Sequence, residues 1–211
     1  MTNDTRDQQR QQLRDDLRER RRQQMRDEII SAARLLLEEK GYAATLMDDI
    51  AVRAGISKPT LYGYFATKDA LIVAIIVQHI GLLLEMAEPS SQAGTPLQRL
   101  ARILDTVVRL QMHDRREPIR LWMPEFYKLS TEHAEMMDAM QRLDSRFVAL
   151  VLEGVALGEI DGSLDPATVV RVFYALITAI RFLPHSSIGE PDTEGAPRTI
   201  ARIFAAGVAP R

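Results

Sequence analysis

TLMDDIAVRAGISKPTLYGYF, residues Thr45 to Phe65, reads as two short helices meeting at a tight turn. In the first, Ile50, Ala51 and Ala54 fall at one-turn spacing, and Ala51 sits where a larger side chain would push the second helix away. Gly55 supplies the turn, because a residue without a Cβ enters the left-handed region at little cost. Ile56 plugs the corner, and Ser57 is placed to cap the amides that open the next helix. Leu61 and Phe65, four apart, return to the core. Lys58, Pro59, Thr60, Tyr62, Gly63 and Tyr64 are left facing outward: a cation, a hydroxyl, phenols and small surfaces, a set that suits the base edges of a DNA major groove. A plain helical hairpin inside an all-α domain would share the apolar spacing, so the flanking residues carry the distinction.

Upstream, Ile29, Ala33, Leu36 and Leu37 mark an amphipathic helix stopped by Gly41 after Lys40 in its last turn. Thr45 with Asp48 has the spacing of a capping box. Downstream, Thr67 caps a helix that opens with Lys68 and Asp69 and runs to about Ala87, apolar on most sides and therefore buried. Taken whole, RDEIISAARLLLEEKGYAATLMDDIAVRAGISKPTLYGYFATKDAL, Arg26 to Leu71, resembles the DNA-binding domain of the TetR family of bacterial transcriptional regulators. Helix, Gly41-Tyr42 turn, helix-turn-helix and the Tyr64-Phe65-x-x-Lys68 end all occur in register; beyond Leu71 the similarity is architectural only.

The resemblance implies that Lys58, Pro59, Thr60 and Tyr62 form the base-reading face and that Tyr64 and Lys68 contact phosphate, with Thr45 and Arg26 completing the DNA-contact candidates. The chemistry agrees. Lys58 can donate to guanine O6 and N7, Thr60 can bond a base or touch a thymine methyl, and Pro59 and Tyr62 offer apolar contact. Lys68, at a helix N-terminus, adds its charge to the helix dipole. Gly63 departs from the family pattern by lacking a large or basic side chain, which weakens the helix locally by up to about 1 kcal/mol. Leu46 departs by lacking a second hydroxyl after Thr45. Asp48 and Asp49 read as first-turn partners of the helix dipole.

The 211 residues carry 27 Lys/Arg against 29 Asp/Glu, a formal charge of −2, so any nucleic-acid surface must be local. Residues 1–71 hold 13 basic against 12 acidic side chains, and the remainder 14 against 17. The positive excess therefore lies at the N-terminal end. Residues 1–24 are polar, with arginine at 6, 10, 14, 18, 22 and 26, a spacing that drifts by about 40° per step on a helix. Asp15, Asp16 and Glu19 precede Arg18, Arg20 and Arg22 by three or four residues and pair with them. Two readings stay open: a solvated tail that frays, or a basic arm continuing the first domain helix towards a phosphate backbone or minor groove.

Cysteine is absent, which removes disulfides, thiolate nucleophiles and cysteine metal sites. The longest apolar run, Ala70 to Val77, is far below the roughly 20 residues that span a bilayer, and no signal peptide precedes it. The expectation is a cytoplasmic protein with no membrane partner. No H-E-x-x-H, G-x-S-x-G, P-loop or G-x-G-x-x-G occurs, and His79, His113, His133 and His185 are too dispersed for a local metal signature. Glu159 to Asp165 lacks the spacing of a calcium loop and reads as a turn and helix cap. No enzyme, cofactor or metal is expected.

The rest of the chain reads as further helices, giving an all-α fold of about nine: Thr95, Pro96 and Gln98 open one, Pro118 and Pro124 break a short one near Met123, Met136 to Gly154 form the buried face of a long one, Asp165-Pro166 caps another, and Arg198 to about Ala206 ends the chain. The expected organisation is a charged extension at 1–24, a helix-turn-helix domain at 25–71 and a ligand-binding and dimerisation domain at 72–211. Resemblance supplies the last two roles: the last two long helices form a four-helix homodimer interface, and the helices between enclose a ligand cavity. Its candidate lining is Met112, His113, Trp122, Met123, Phe126, Tyr127, Met137, Met140, Phe147 and Tyr174, side chains with few charges among them, which implies an apolar or aromatic small-molecule effector. The expected function is a repressor that binds a palindromic double-stranded DNA operator as a homodimer and is released by that effector. The alternative is a ligand-independent DNA-binding protein of the same fold that acts through nucleoid or protein partners.

Overall fold

The computed structural model describes residues 3–88, 94–113, 124–179 and 192–210. Among them the chain forms nine α-helices and no strand: α1 Asn3–Ala44, α2 Met47–Arg53, α3 Lys58–Tyr64, α4 Lys68–Ala87, α5 Pro96–His113, α6 Pro124–Glu132, α7 Ala134–Ala156, α8 Pro166–Ala179 and α9 Gly195–Val208. They fall into two compact units, Met1–Ile75 and Ile76–Arg211, divided within α4.

In the first unit, Ile29, Ala33, Leu36 and Leu37 of α1 are buried together with Ile50, Ala51, Leu61, Phe65, Leu71 and Ile72. Regular helix in α1 ends where Gly41 takes φ 75° and ψ 173°, a conformation that an L side chain rarely adopts. Residues 10–24 continue α1 as helix, almost wholly exposed, with side-chain bonds four residues apart from Gln11 to Asp15, Gln23 to Asp27 and Gln24 to Glu28. α4 is long and apolar enough to cross a membrane by length and composition, but Leu71 to Ile76 and Ile80 are buried within the folded chain, as in a core helix.

In the second unit, α5 lies against α7, α8 and α9. Its start is a capping box: the Gln98 amide donates to Thr95 Oγ1 at 3.4 Å and the Thr95 amide to Gln98 Oε1 at 3.3 Å. Asp165 caps α8, accepting from the Thr168 amide at 2.9 Å, and the Thr168 hydroxyl bond is the main cause of its lowered pKa. Glu159 to Asp165 forms the expected turn, in which the Asp161 carboxylate accepts from the Ser163 amide at 2.9 Å and the Asp161 amide donates to the Val208 carbonyl at 2.8 Å. α9 starts three residues before the expected Arg198, since Pro197 falls in its first turn, where a missing N–H costs nothing. Pro124 opens α6 for the same reason, while the expected break at Met123 lies outside the described residues.

A partly buried ionic cluster ties α5, α7 and the end of α4. Arg99, 6% exposed, donates from Nη2 to Glu153 Oε2 at 2.8 Å, and its Nε and Nη1 have no partner among the described residues. Arg146 reaches the other Glu153 oxygen at 3.2 Å and donates to the Ala87 carbonyl from Nε at 3.1 Å and Nη2 at 2.8 Å. Glu153→Gln should therefore leave a nearly buried guanidinium short of its counter-charge and, with Glu153 itself 42% exposed, lower stability by about 1–2 kcal/mol. Urea unfolding checks this; a loss within the error of the midpoint would mean that water already satisfies Arg99.

Candidate nucleic-acid interface

α2 and α3 meet at Gly55, which has φ 67°, and the Ile56 amide closes the corner on the Ala51 carbonyl at 3.0 Å. Ser57 is the N-cap of α3: its Oγ accepts from the Thr60 amide at 3.3 Å and lies 2.8 Å from the Thr60 hydroxyl. Leu61 and Phe65 are buried behind the helix, which leaves Lys58, Pro59, Thr60, Tyr62 and Gly63 exposed and Tyr64 half-buried. The helix thus presents one outward face of donors, a hydroxyl and a phenol on a short, fixed backbone.

Ion pairs cross this unit. Lys40 meets Asp49 at 3.0 Å, Arg53 meets Glu39 at 2.7 Å, and Lys58 meets Asp48 at 2.5 Å. The hydrogen bond from Lys58 to Asp48, and then the carboxylate's charge, holds the Lys58 pKa above its ordinary value. Asp48, expected to serve the capping box and the dipole of α2, is instead the partner of the recognition-helix cation.

Thr45 corrects the sequence reading. It is fully buried, and its hydroxyl donates inward, at 2.7 Å from the Gly41 carbonyl and 3.3 Å from that of Leu36. Leu46, not Thr45, is the N-cap of α2, with no side-chain cap bond, so there is no capping box and no hydroxyl available to a phosphate. Thr45 instead ties the end of α1 to the start of α2. Lys68 is also turned inward. Its ammonium lies 4.0 Å from the Tyr42 ring centroid and donates to the Tyr42 carbonyl, while the Tyr42 hydroxyl donates to Asp69 at 2.5 Å. Sequence reasoning saw Tyr42 only as part of a turn. Arg26 lays its guanidinium carbon 4.8 Å from the Phe65 ring centroid, which places it beside the C-terminal end of α3.

Among the described residues the effector candidates differ in exposure, and Phe147 and Tyr174 meet with ring centroids at 5.7 Å. Phe147 is fully buried in an aromatic core, 5.0 Å between centroids from Phe173, which in turn lies 5.5 Å from Phe204. Tyr174 borders that core and donates to Asp144 at 2.8 Å, its pKa raised by burial first and then by that bond. Tyr127 is 77% exposed, because α6 turns it outward while burying Leu129, and Met137 is exposed on α7. Met112 is buried, and Phe126 and Met140 are half-buried. The His113 side chain, Trp122 and Met123 lie outside what the structure describes. An open groove between α4 and α7, lined by Leu84, Glu88, Arg142, Ser145 and Arg146, includes none of these candidates.

Two family patterns match the chain: bacterial regulatory proteins of the tetR family over residues 29–75, and the tetracyclin repressor-like C-terminal domain over residues 93–181. The chain belongs to the TetR family. Within this family it is 33% identical over 87 residues to the HTH-type transcriptional activator FasR of Mycolicibacterium smegmatis, a match covering 41% of this chain and 40% of that protein. It is 23% identical to the fatty acid metabolism regulator protein of Bacillus subtilis over 154 residues, 71% of this chain and 77% of that one. The TetR fold is shared with the crystal structure of FadR from Bacillus subtilis in complex with stearoyl-CoA, at a TM-score of 0.69 and 19% identity over 86% of this chain and 98% of that one.

Proposed function

We propose that the chain is a ligand-responsive transcriptional regulator of the cytoplasm, a repressor that binds a palindromic operator as a homodimer and releases it on taking up an apolar small molecule. The observation that carries the reading is α3: seven residues, held by Leu61 and Phe65, whose outward face is Lys58, Pro59, Thr60 and Tyr62. One such helix reads only a few base pairs, and two-fold symmetry doubles the readout. The first unit takes the DNA role and the second the effector and dimer roles. An effector with a long apolar part is favoured by the relative that regulates fatty acid metabolism and by the related fold crystallised with stearoyl-CoA.

Selecting bound DNA from a genomic pool should return a two-fold symmetric site with half-sites about one helical turn or more apart. On that site, Lys58→Ala and Tyr62→Ala should each narrow the ratio of specific to random binding by about tenfold. Lys68→Ala should leave that ratio unchanged, since the ammonium is engaged on Tyr42 and not on the reading face. A monomer that binds an isolated half-site as tightly would overturn the dimeric reading. Fatty acyl and aromatic compounds are then screened by thermal shift and by the fluorescence of Trp122, the one tryptophan. An effector must change DNA affinity by the same factor by which DNA changes effector affinity.

A further inference from the structure

We propose that the exposed N-terminal stretch of α1, residues 10–25, is a phosphate-binding arm that supplies most of this chain's electrostatic attraction to DNA. The inference rests on the regulator reading above and adds a contact surface to it.

The charge balance points first to the arm. Residues 26–71, which include the whole helix-turn-helix, contain six Lys/Arg against seven Asp/Glu, a net charge of −1. Five of the six cations are already engaged: Arg26 on the Phe65 ring, Lys40 with Asp49, Arg53 with Glu39, Lys58 with Asp48, and Lys68 on Tyr42. A surface of that balance draws weakly on a polyanion. Residues 10–25 contain six arginines against three carboxylates, all exposed but none of the arginines held tighter than Arg18, which meets Asp15 at 3.7 Å.

Geometry places those arginines usefully. Arg26 stacks on Phe65, the C-cap of α3, so α1 passes the C-terminal end of the recognition helix at that residue. The sixteen residues from Arg10 to Arg26 then carry the helix about 24 Å further, the length of about seven base-pair steps. At about 100° per residue, Arg14, Arg18, Arg21 and Arg22 fall within an arc of about 100° that contains the bearings of Ile29 and Leu36. Ile29 and Leu36 belong to the buried face of α1, which continues past that arc through Ala33, Leu37 and Ile30. The arginine stripe therefore overlaps the side that faces the domain; Asp16 lies well outside its arc, while Asp15 and Glu19 border it on the bearings of Ala33 and Leu37 and offset part of its charge.

The test is the salt dependence of binding to the selected operator by the full chain, compared with a variant carrying Arg14→Gln, Arg18→Gln, Arg21→Gln and Arg22→Gln. Glutamine keeps the helix, which circular dichroism and the unfolding midpoint verify. Each phosphate that the arm neutralises steepens the salt slope by about 0.9. An arm that meets two to three phosphates therefore makes the parent lose about 10- to 40-fold more affinity than the variant between 50 and 200 mM salt, while the ratio of specific to random binding stays the same. Coincident lines of log K against log salt for the two proteins would overturn the arm. So would an unchanged salt line accompanied by a lower oligomer mass in a Leu13→Ser, Leu17→Ser variant, which would make the stretch a protein contact. A narrower specificity ratio in the arginine variant would also overturn it, since the arm would then read bases. A parent chain that binds no DNA fails the regulator reading itself, before the variants are compared.

Discussion

Phe147→Ala lowers the stability of the second unit by about 3–5 kcal/mol, the largest single-site loss expected in this chain. Phe147 is fully buried and touches both Phe173 and Tyr174, with ring centroids at 5.0 and 5.7 Å, so truncation forfeits apolar burial, leaves a void and dissolves both ring pairings. Urea or thermal unfolding measures it. The same experiment separates packing from ligand lining. A side chain facing an effector cavity would cost under about 1 kcal/mol and change which ligand sizes bind, and that result would restore Phe147 to the effector site.

Ala51→Leu should lower affinity for the selected operator by at least about 100-fold while leaving unfolding of the second unit unchanged. Ala51 is 2% exposed in α2, and its carbonyl takes the Ile56 amide at the corner before α3. A larger side chain there overpacks the junction at about 1–3 kcal/mol and shifts α3 bodily. Base-edge bonds are geometric, each good pair contributing about 1–3 kcal/mol of discrimination, so displacing the helix loses several together. Ala51→Ser, nearly the same size, should bind like the parent. Parental binding by the leucine variant would mean that the α2–α3 packing does not set the reading face.

The elements that were legible in the sequence are those whose signal is local. Ser57, Thr67, Thr95 with Gln98, and Asp165 each lie within three residues of the amide they cap, and the structure forms all four caps. Thr45 has the same local signature and does something else. Its position against the carbonyls of Leu36 and Gly41 depends on how α1 ends, which no four-residue window contains. The partners of Lys58 and Lys68 were hidden for the same reason, since Asp48 lies ten residues away and Tyr42 twenty-six. Arg99 was passed over although an arginine between Leu97 and Leu100, in a run whose neighbours pack inward, is a visible anomaly; its partner Glu153 is 54 residues on. Aromatic side chains at helical spacing did not distinguish Phe147, in the core, from Tyr127, in solvent, because periodicity gives a face but not what the face meets.

The ion pair between Asp48 and Lys58 bears on how fast such a regulator would search a chromosome. A cation held by its own carboxylate yields to a competing phosphate only in an exchange of one ionic partner for another, so random sequence offers little net reward for stopping. Where base edges also accept from Lys58, the exchange gains hydrogen bonds that phosphate alone does not provide. Residence on the wrong site is thereby shortened more than residence on the right one. An acidic residue beside the reading helix, which looks like a defect in a DNA-binding surface, would then act as a timer that keeps the protein moving until the sequence matches.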